Sequence, residues 1–319
     1  MRELIVSSTK KVVEQAQSVS LNQEKIADLA KRGSLHTIPN WDKGRHFCDG
    51  TAQTAQWLFV LDSLNFSFWG ETGKDRWTVL WDGEAVKGYW ALACSLNQAM
   101  RKGVRVTDAK FLENIDAAGL KDIFNGTGDI PMMPERVRVL NEIGTVLQKQ
   151  YDGSFANLLE EAGPLVERVV HLVVNNFPCF DDRANYEGDS VYFFKRAQIL
   201  VSDIWGAFEG KGLGGFKDMN RLTAFADYKL PQVLRALGIL QYNPELASCI
   251  DALKELASGS RQEIEIRAAT VTAVEELARC LAANGNELPA FAIDWWLWEI
   301  SHEASYERLP HHRTRSIFY

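Results

Sequence analysis

From Trp90 onward nearly every stretch of this chain repeats its apolar residues at helical spacing, and no feature limits the fold more. The spacing predicts helices over 90–101, 107–112, 117–124, 134–150, 154–160, 164–176, 189–209, 231–239, 244–257, 262–283 and 289–304. Pro134 and Pro231 stand where a first helical turn tolerates proline. Upstream, Val12, Val13, Ala16, Val19, Ile26 and Leu29 predict one amphipathic helix over 8–32.

Between these regions the period changes. The runs 57–61, 64–69, 77–81 and 85–89 are short and rich in aromatic and β-branched residues, with Gly70, Gly73, Asp82 and Gly83 between them. They read as one small antiparallel sheet, with Asp82-Gly83 as a hairpin turn. The predicted class is therefore mainly α with one small antiparallel β-sheet. With 319 residues, the chain is expected to be a single compact domain, 1–319. Its parts would be a helical segment 1–39, the sheet at about 55–90 and a helical core from about 90 to 319.

Composition removes several function classes. A formal net charge of −7 argues against a large nucleic-acid footprint, so no direct DNA partner is expected. No run reaches the length of a membrane span, and Met1 to Lys11 lacks the apolar stretch of a signal peptide. The five cysteines are scattered with no Cys-x-x-Cys pair, which suggests neither a zinc site nor a disulfide framework. A soluble protein of the reducing cytoplasm fits best. The ten tryptophans cluster, four at Trp69, Trp77, Trp81 and Trp90 and three at Trp295, Trp296 and Trp298. They read as core packing, or as the walls of a pocket for a flat ligand.

Over 189–209, Phe194, Ala197, Val201, Ile204 and Phe208 form an apolar stripe. Lys195, Ser202 and Asp203 fall on the opposite side, which is either a solvated face or the polar wall of a pocket. Asp294 and Glu299 lie among tryptophans but about 140° apart on a helix, so they do not share a face. Asp227 stands just before Pro231, near a helix start that would favour its ionised form, or it is a simple turn or capping residue. The glycine-bearing run 209–215 lacks the Gly-Lys-Ser/Thr ending of a P-loop. Arg261 and Arg267 alternate with Glu263 and Glu265 and read as a surface ion-pair strip.

Seven runs carry a resemblance: Leu64-Asn-Phe-Ser-Phe-Trp69, Phe194-Lys-Arg-Ala-Gln-Ile-Leu200, Glu209-Gly-Lys-Gly212, Phe225 to Leu234, Arg261 to Arg267, Asp294-Trp-Trp-Leu-Trp298 and His312-Arg-Thr-Arg315. Their identity and order, from about residue 40 to the end, resemble the queuosine salvage protein family. The resemblance implies hydrolysis of queuosine 5′-phosphate, a small-molecule nucleotide, to queuine and ribose 5-phosphate. It implies a helical core like that of helix-hairpin-helix DNA glycosylases, and neither metal nor other cofactor. The glycosylase hairpin usually reads Leu-Pro-x-Val-Gly; here Lys229-Leu-Pro-Gln-Val233 lacks the glycine.

On that reading Asp227 is the carboxylate that attacks the ribose or stabilises its positive charge, with Phe225 and Lys229 near the substrate. Asp203 and Lys195 would orient water or hold the base. Queuine carries a protonated amine, which wants a carboxylate and an aromatic wall; Asp294, Glu299 and Trp298 offer both. His46 matches a histidine region of the family. Arg313 and Arg315 are candidate phosphate ligands. Two other functions compete: a DNA base-excision glycosylase, and a non-catalytic queuosine- or tRNA-binding module.

Overall fold

The computed structural model describes residues 1–32, 35, 37–71 and 73–319. The chain opens with α1 (Arg2–Gln15), β1 (Val19–Leu21), α2 (Gln23–Lys31) and α3 (Ala52–Ser63). A hairpin of β2 (Thr78–Trp81) and β3 (Glu84–Lys87) leads into α4 (Gly88–Arg101), α5 (Ala109–Glu113), α6 (Ala117–Phe124), α7 (Met133–Gln150), α8 (Phe155–Ala162) and α9 (Val166–Asn176). A second hairpin, β4 (Arg183–Tyr186) and β5 (Asp189–Tyr192), precedes α10 (Lys195–Ala207). The remainder is α11 (Lys229–Ala236), β6 (Leu240–Tyr242), α12 (Pro244–Asp251), α13 (Arg261–Ala283), α14 (Ala290–Ile300) and α15 (Ala304–Glu307).

The mainly α class holds, but the strands form three separate two-stranded ladders, β1 with β6, β2 with β3 and β4 with β5. The Asp82-Gly83 turn is where the sequence places it, between Trp81 and its partner Glu84. Both turn residues have positive φ, 47° and 86°, as a tight hairpin of this hand requires.

The run 57–61 is not a strand. It lies inside α3, where every residue from Thr54 to Ser63 is buried. A helix enclosed on all sides shows no apolar stripe, so the periodicity that separates helix from strand is lost. Its start is set by Thr51, whose hydroxyl accepts from the Gln53 amide at 3.1 Å.

The run 64–69 is not a strand either. Its buried carbonyls are taken by Arg136, which donates to Leu64 and Phe66 at 2.6 Å each and to Ser67 at 3.3 Å. The Ser67 amide donates to the carbonyl of Tyr319 at 3.0 Å. A side chain and the distant tail thus satisfy backbone groups that a sheet would have paired.

Two predicted helices divide for local reasons. The 8–32 segment breaks into α1, β1 and α2, because Val19 to Leu21 pairs with Leu240 to Tyr242. The 189–209 segment begins as β5, and Phe194 then turns the chain through φ 49° before α10 starts at Lys195.

Two hydrophobic clusters form the interior. The larger is built mainly by α3, α4 and α7 to α10. The smaller gathers α2, α11, α12 and α14. The long helix α13 serves both: Ile264, Ala268 and Val271 face the first, and Ile266, Ala269, Ala273 and Val274 the second. No helix among the described residues is long and apolar enough to cross a membrane, and all five cysteines are free.

Candidate active site

The seam between the two clusters holds the unusual chemistry. Asp62 on α3 and Lys195 and Asp203 on α10 come from the side of the larger cluster, while Asp227 ahead of α11 and Asp294 on α14 lie on segments that feed both clusters. All five are buried, Asp62 at 0% exposure and Lys195 at 3%. Lys195 and Asp203 therefore do not lie on a solvated face, which leaves the pocket-wall reading.

Lys195 is the single buried ammonium facing these carboxylates among the described residues. It donates to the Asn65 carbonyl at 3.3 Å. Burial depresses its pKa, and the charges of Asp227 and Asp62 oppose that shift. Burial in turn raises all four carboxylates. Asp203 is pushed up to about 7. Asp62 and Asp294 are driven well above the usual carboxylate range, each by burial first, with a neighbouring aspartate adding to it. Asp227 is raised by burial, while Lys195 and the amides of Leu230 and Lys229 pull it back.

The local geometry of Asp227 follows from its place before α11. Its Oδ1 accepts from the amides of Lys229 at 2.8 Å and Leu230 at 2.9 Å. The helix start thus favours the anion as the sequence implies, but burial outweighs it. The turn role and the site role coexist in one side chain.

Two buried groups join α10 to the Asp227 segment. Asp182 caps α10 by accepting from the Lys195 amide at 3.1 Å. Arg267 on α13 grips Asp182 with both terminal nitrogens, at 2.9 and 2.6 Å, and donates from Nε to the Ala226 carbonyl at 3.1 Å. Arg267 is therefore a buried strut, not part of a surface strip. Glu265 also points inward, accepting from the Ser18 amide at 2.7 Å and from Tyr186 at 2.8 Å.

Aromatic side chains close over the carboxylates. Trp41 stacks on His46, with centroids 4.3 Å apart, and donates from Nε1 to Asp203 at 3.2 Å. Tyr89 and Trp90 on α4 meet Trp298 of α14 edge-on across the seam, at 5.7 and 5.6 Å. His46 contacts the Tyr89 hydroxyl at 2.7 Å. Two open surface clefts, one between α1 and the β4–β5 hairpin and one between α4 and α6, lie away from all these residues.

Other candidates fall on either side of this centre. The Phe225 amide donates to Asp294 Oδ1 at 2.6 Å, so Phe225 fixes the carboxylate through its backbone. Glu299 is exposed and does not join Asp294. Lys229 pairs with Glu307 at 3.2 Å. Arg313 and Arg315 lie over the Trp69 ring, at 5.5 and 4.3 Å, and Trp69 packs with Tyr228, the neighbour of Asp227. His311 lies against Tyr228 at 4.6 Å and is held down at about 4 by burial and then by the charges of Lys229, Arg76 and Arg313. A cationic corner thus adjoins Asp227. The run 209–215 follows the far end of α10, where Lys211 approaches Glu209 at 3.9 Å.

Asp62, Tyr89 and Trp41 were not among the residues expected from the sequence. Asp62 directly follows an apolar run read as a strand; a lone carboxylate beside five apolar residues was the available signal.

The fold and site define a helical protein with a closed centre of four aspartates around one lysine, roofed by aromatic rings. The chain belongs to the queuosine salvage protein family, whose model matches residues 45–319. It is 45% identical over 317 residues to a Sphaerobacter thermophilus protein named queuosine 5′-phosphate N-glycosylase/hydrolase, covering 99% of this chain and 97% of that one. Proteins of the same name from Mus musculus and Schizosaccharomyces pombe are 39% and 30% identical, covering 82% and 97% of this chain and 81% and 99% of theirs.

Proposed function

We propose that the protein hydrolyses queuosine 5′-phosphate to queuine and ribose 5-phosphate, with Asp227 facing the anomeric carbon. Breaking the N-glycosidic bond builds positive charge on the ribose, and a carboxylate held in a dry site stabilises that charge strongly. The observation that carries this reading is Asp227 itself. It is buried, held by two amides and set opposite a buried lysine, in a chain whose relatives bear the glycosylase name.

The rest of the substrate has complementary surroundings. The protonated amine of the queuine side chain suits Asp294, one helical turn from Trp298, whose ring meets that of Trp90. The 5′-phosphate suits the cationic corner of Lys229, Arg76, Arg313 and Arg315 beside Tyr228. Free cysteines fit a reducing compartment.

The test is to mix purified protein with queuosine 5′-phosphate and follow queuine by chromatography. Release is expected from the wild type. Asp227→Asn keeps the Oδ1 acceptor for the two amides, so it should fold while losing at least roughly 10²-fold in kcat. Binding without turnover by the wild type would instead mark a binding module.

A further inference from the structure

The departing base needs a proton, and no residue has yet been given that task. This inference rests on the glycosidase reading above. Queuine has carbon where guanine has N7, so the usual protonation site is missing and a positioned acid must serve another edge of the base.

A chain of four side chains decides where such a proton sits. The Asp42 carbonyl can only accept, so His46 Nδ1, which contacts it, carries a hydrogen. Burial pushes the His46 pKa down to about 4, so the ring is neutral and Nε2 holds a lone pair. The Tyr89 hydroxyl, 2.7 Å away, gives its one proton to that lone pair. None is left for Asp203 Oδ2, 3.3 Å from the same hydroxyl oxygen. Two acceptors facing each other in a dry site repel; the contact is satisfied when Asp203 carries the proton and donates it to Tyr89. Trp41 donates to the other oxygen, Oδ1, at 3.2 Å and so leaves Oδ2 as the protonated one.

We propose that Asp203, kept as a neutral acid by the Trp41–Tyr89–His46 chain, protonates the departing base, with Tyr89 and His46 as its positioning residues. The C–N bond breaks and its electron pair goes to the base, which takes the proton from Asp203. A water adds to the ribosyl centre and returns its spare proton to the Asp203 carboxylate, which restores the acid. Between these events the Tyr89 hydroxyl turns from His46 to the new carboxylate and stabilises it.

Burial is the main force raising Asp203, to about 7; the Trp41 hydrogen bond, a hydrogen bond from Tyr89 when its hydroxyl turns toward the carboxylate, and the Lys195 charge oppose it. The other groups facing this centre are Asp62 from α3, Tyr89 from α4 and Asp294 from α14. Asp42 and Arg45 act on His46 from the preceding loop.

The experiment compares two substrates. Queuosine 5′-phosphate needs its base protonated; 4-nitrophenyl ribofuranoside 5-phosphate releases a stable anion and does not. Asp203→Asn should lose roughly 10²–10⁴-fold on the first and stay within a few-fold on the second. Equal losses on both, or none on the first, would overturn the proposal. His46→Phe frees the Tyr89 proton to stabilise the Asp203 carboxylate, so the alkaline limb of kcat/KM should move down by roughly one pH unit. An unmoved limb counts against the chain. An infrared difference spectrum, wild type minus Asp203→Asn at neutral pH, needs no substrate. A protonated-carboxyl carbonyl band is expected, and carboxylate bands in its place would overturn the assignment. Wild-type protein that cleaves the nitrophenyl substrate but not queuosine 5′-phosphate would overturn the substrate reading alone, leaving the infrared result to judge Asp203.

Discussion

Arg267 and Asp182 form a two-pronged ion pair at 2.9 and 2.6 Å, with both side chains almost wholly out of water. Through it the start of α10 and the segment carrying Asp227 are held to one helix. Arg267→Lys keeps the charge and loses the fork. It should lower the melting temperature and reduce kcat by roughly 10-fold through misplacement of Lys195 and Asp227. Arg267→Ala strands the Asp182 charge and should destabilise by about 3–5 kcal/mol in denaturant titrations. Unchanged kcat in Arg267→Lys would reduce the pair to a structural role.

Gly206 on α10 lies under the Trp41 ring. A methyl there would come within 2.7–2.8 Å of the indole, too close for either to remain in place. Gly206→Ala should therefore displace Trp41 and remove the N–H donated to Asp203. Overpacking of this kind costs about 1–3 kcal/mol. A several-fold fall in kcat/KM with quenching changes in tryptophan fluorescence is expected; wild-type kinetics would show that Trp41 is dispensable.

Asp294 accepts from the Phe225 amide, and asparagine in its place retains that acceptor oxygen. What it loses is the negative charge that a bound ammonium would draw out of this raised carboxyl. Asp294→Asn should weaken binding of queuosine 5′-phosphate by roughly 10-fold or more. An analogue without the side-chain amine should lose far less. Calorimetry on both ligands checks this, and equal losses would separate Asp294 from the amine.

Asp203 also makes stability depend on pH in a definite direction. Its folded pKa, about 7, lies above the ordinary value of 3.8, so its contribution is whole below 3.8 and is lost as pH rises through 7. Asp203→Asn removes that dependence. Relative to wild type, the variant should gain melting temperature from about pH 4 to about pH 7 and then level off, as differential scanning calorimetry would record. A constant difference across this range would mean that Asp203 is ionised throughout.

The parts legible in the sequence were those where one face of an element differs from the other. The Phe194-to-Phe208 stripe by itself puts Lys195 and Asp203 on one side of α10. The Asp82-Gly83 turn has backbone demands that few residue pairs meet. Asp62 was hidden because α3 is enclosed all round, and Tyr89 because it reads as the end of a strand when it opens α4. The misreading of Arg261 to Arg267 has a different cause. Alternating charges suggested a surface strip, yet Ile264, Ile266 and Ala268 among them were the sign that α13 runs through the interior, where Glu263, Glu265 and Arg267 are all buried. Long-range partners such as Asp182, 85 positions away, leave no local trace.

The seam has a consequence for how this molecule keeps itself whole. Four acids and one lysine are buried where the two hydrophobic clusters meet, so the repulsion among the acids opposes the packing of the clusters against each other. Protons relieve part of that burden in the empty protein. A ligand bearing its own positive charge relieves more, and so acts as a mortar between the two clusters, tightening a joint that the unliganded protein holds under electrostatic load.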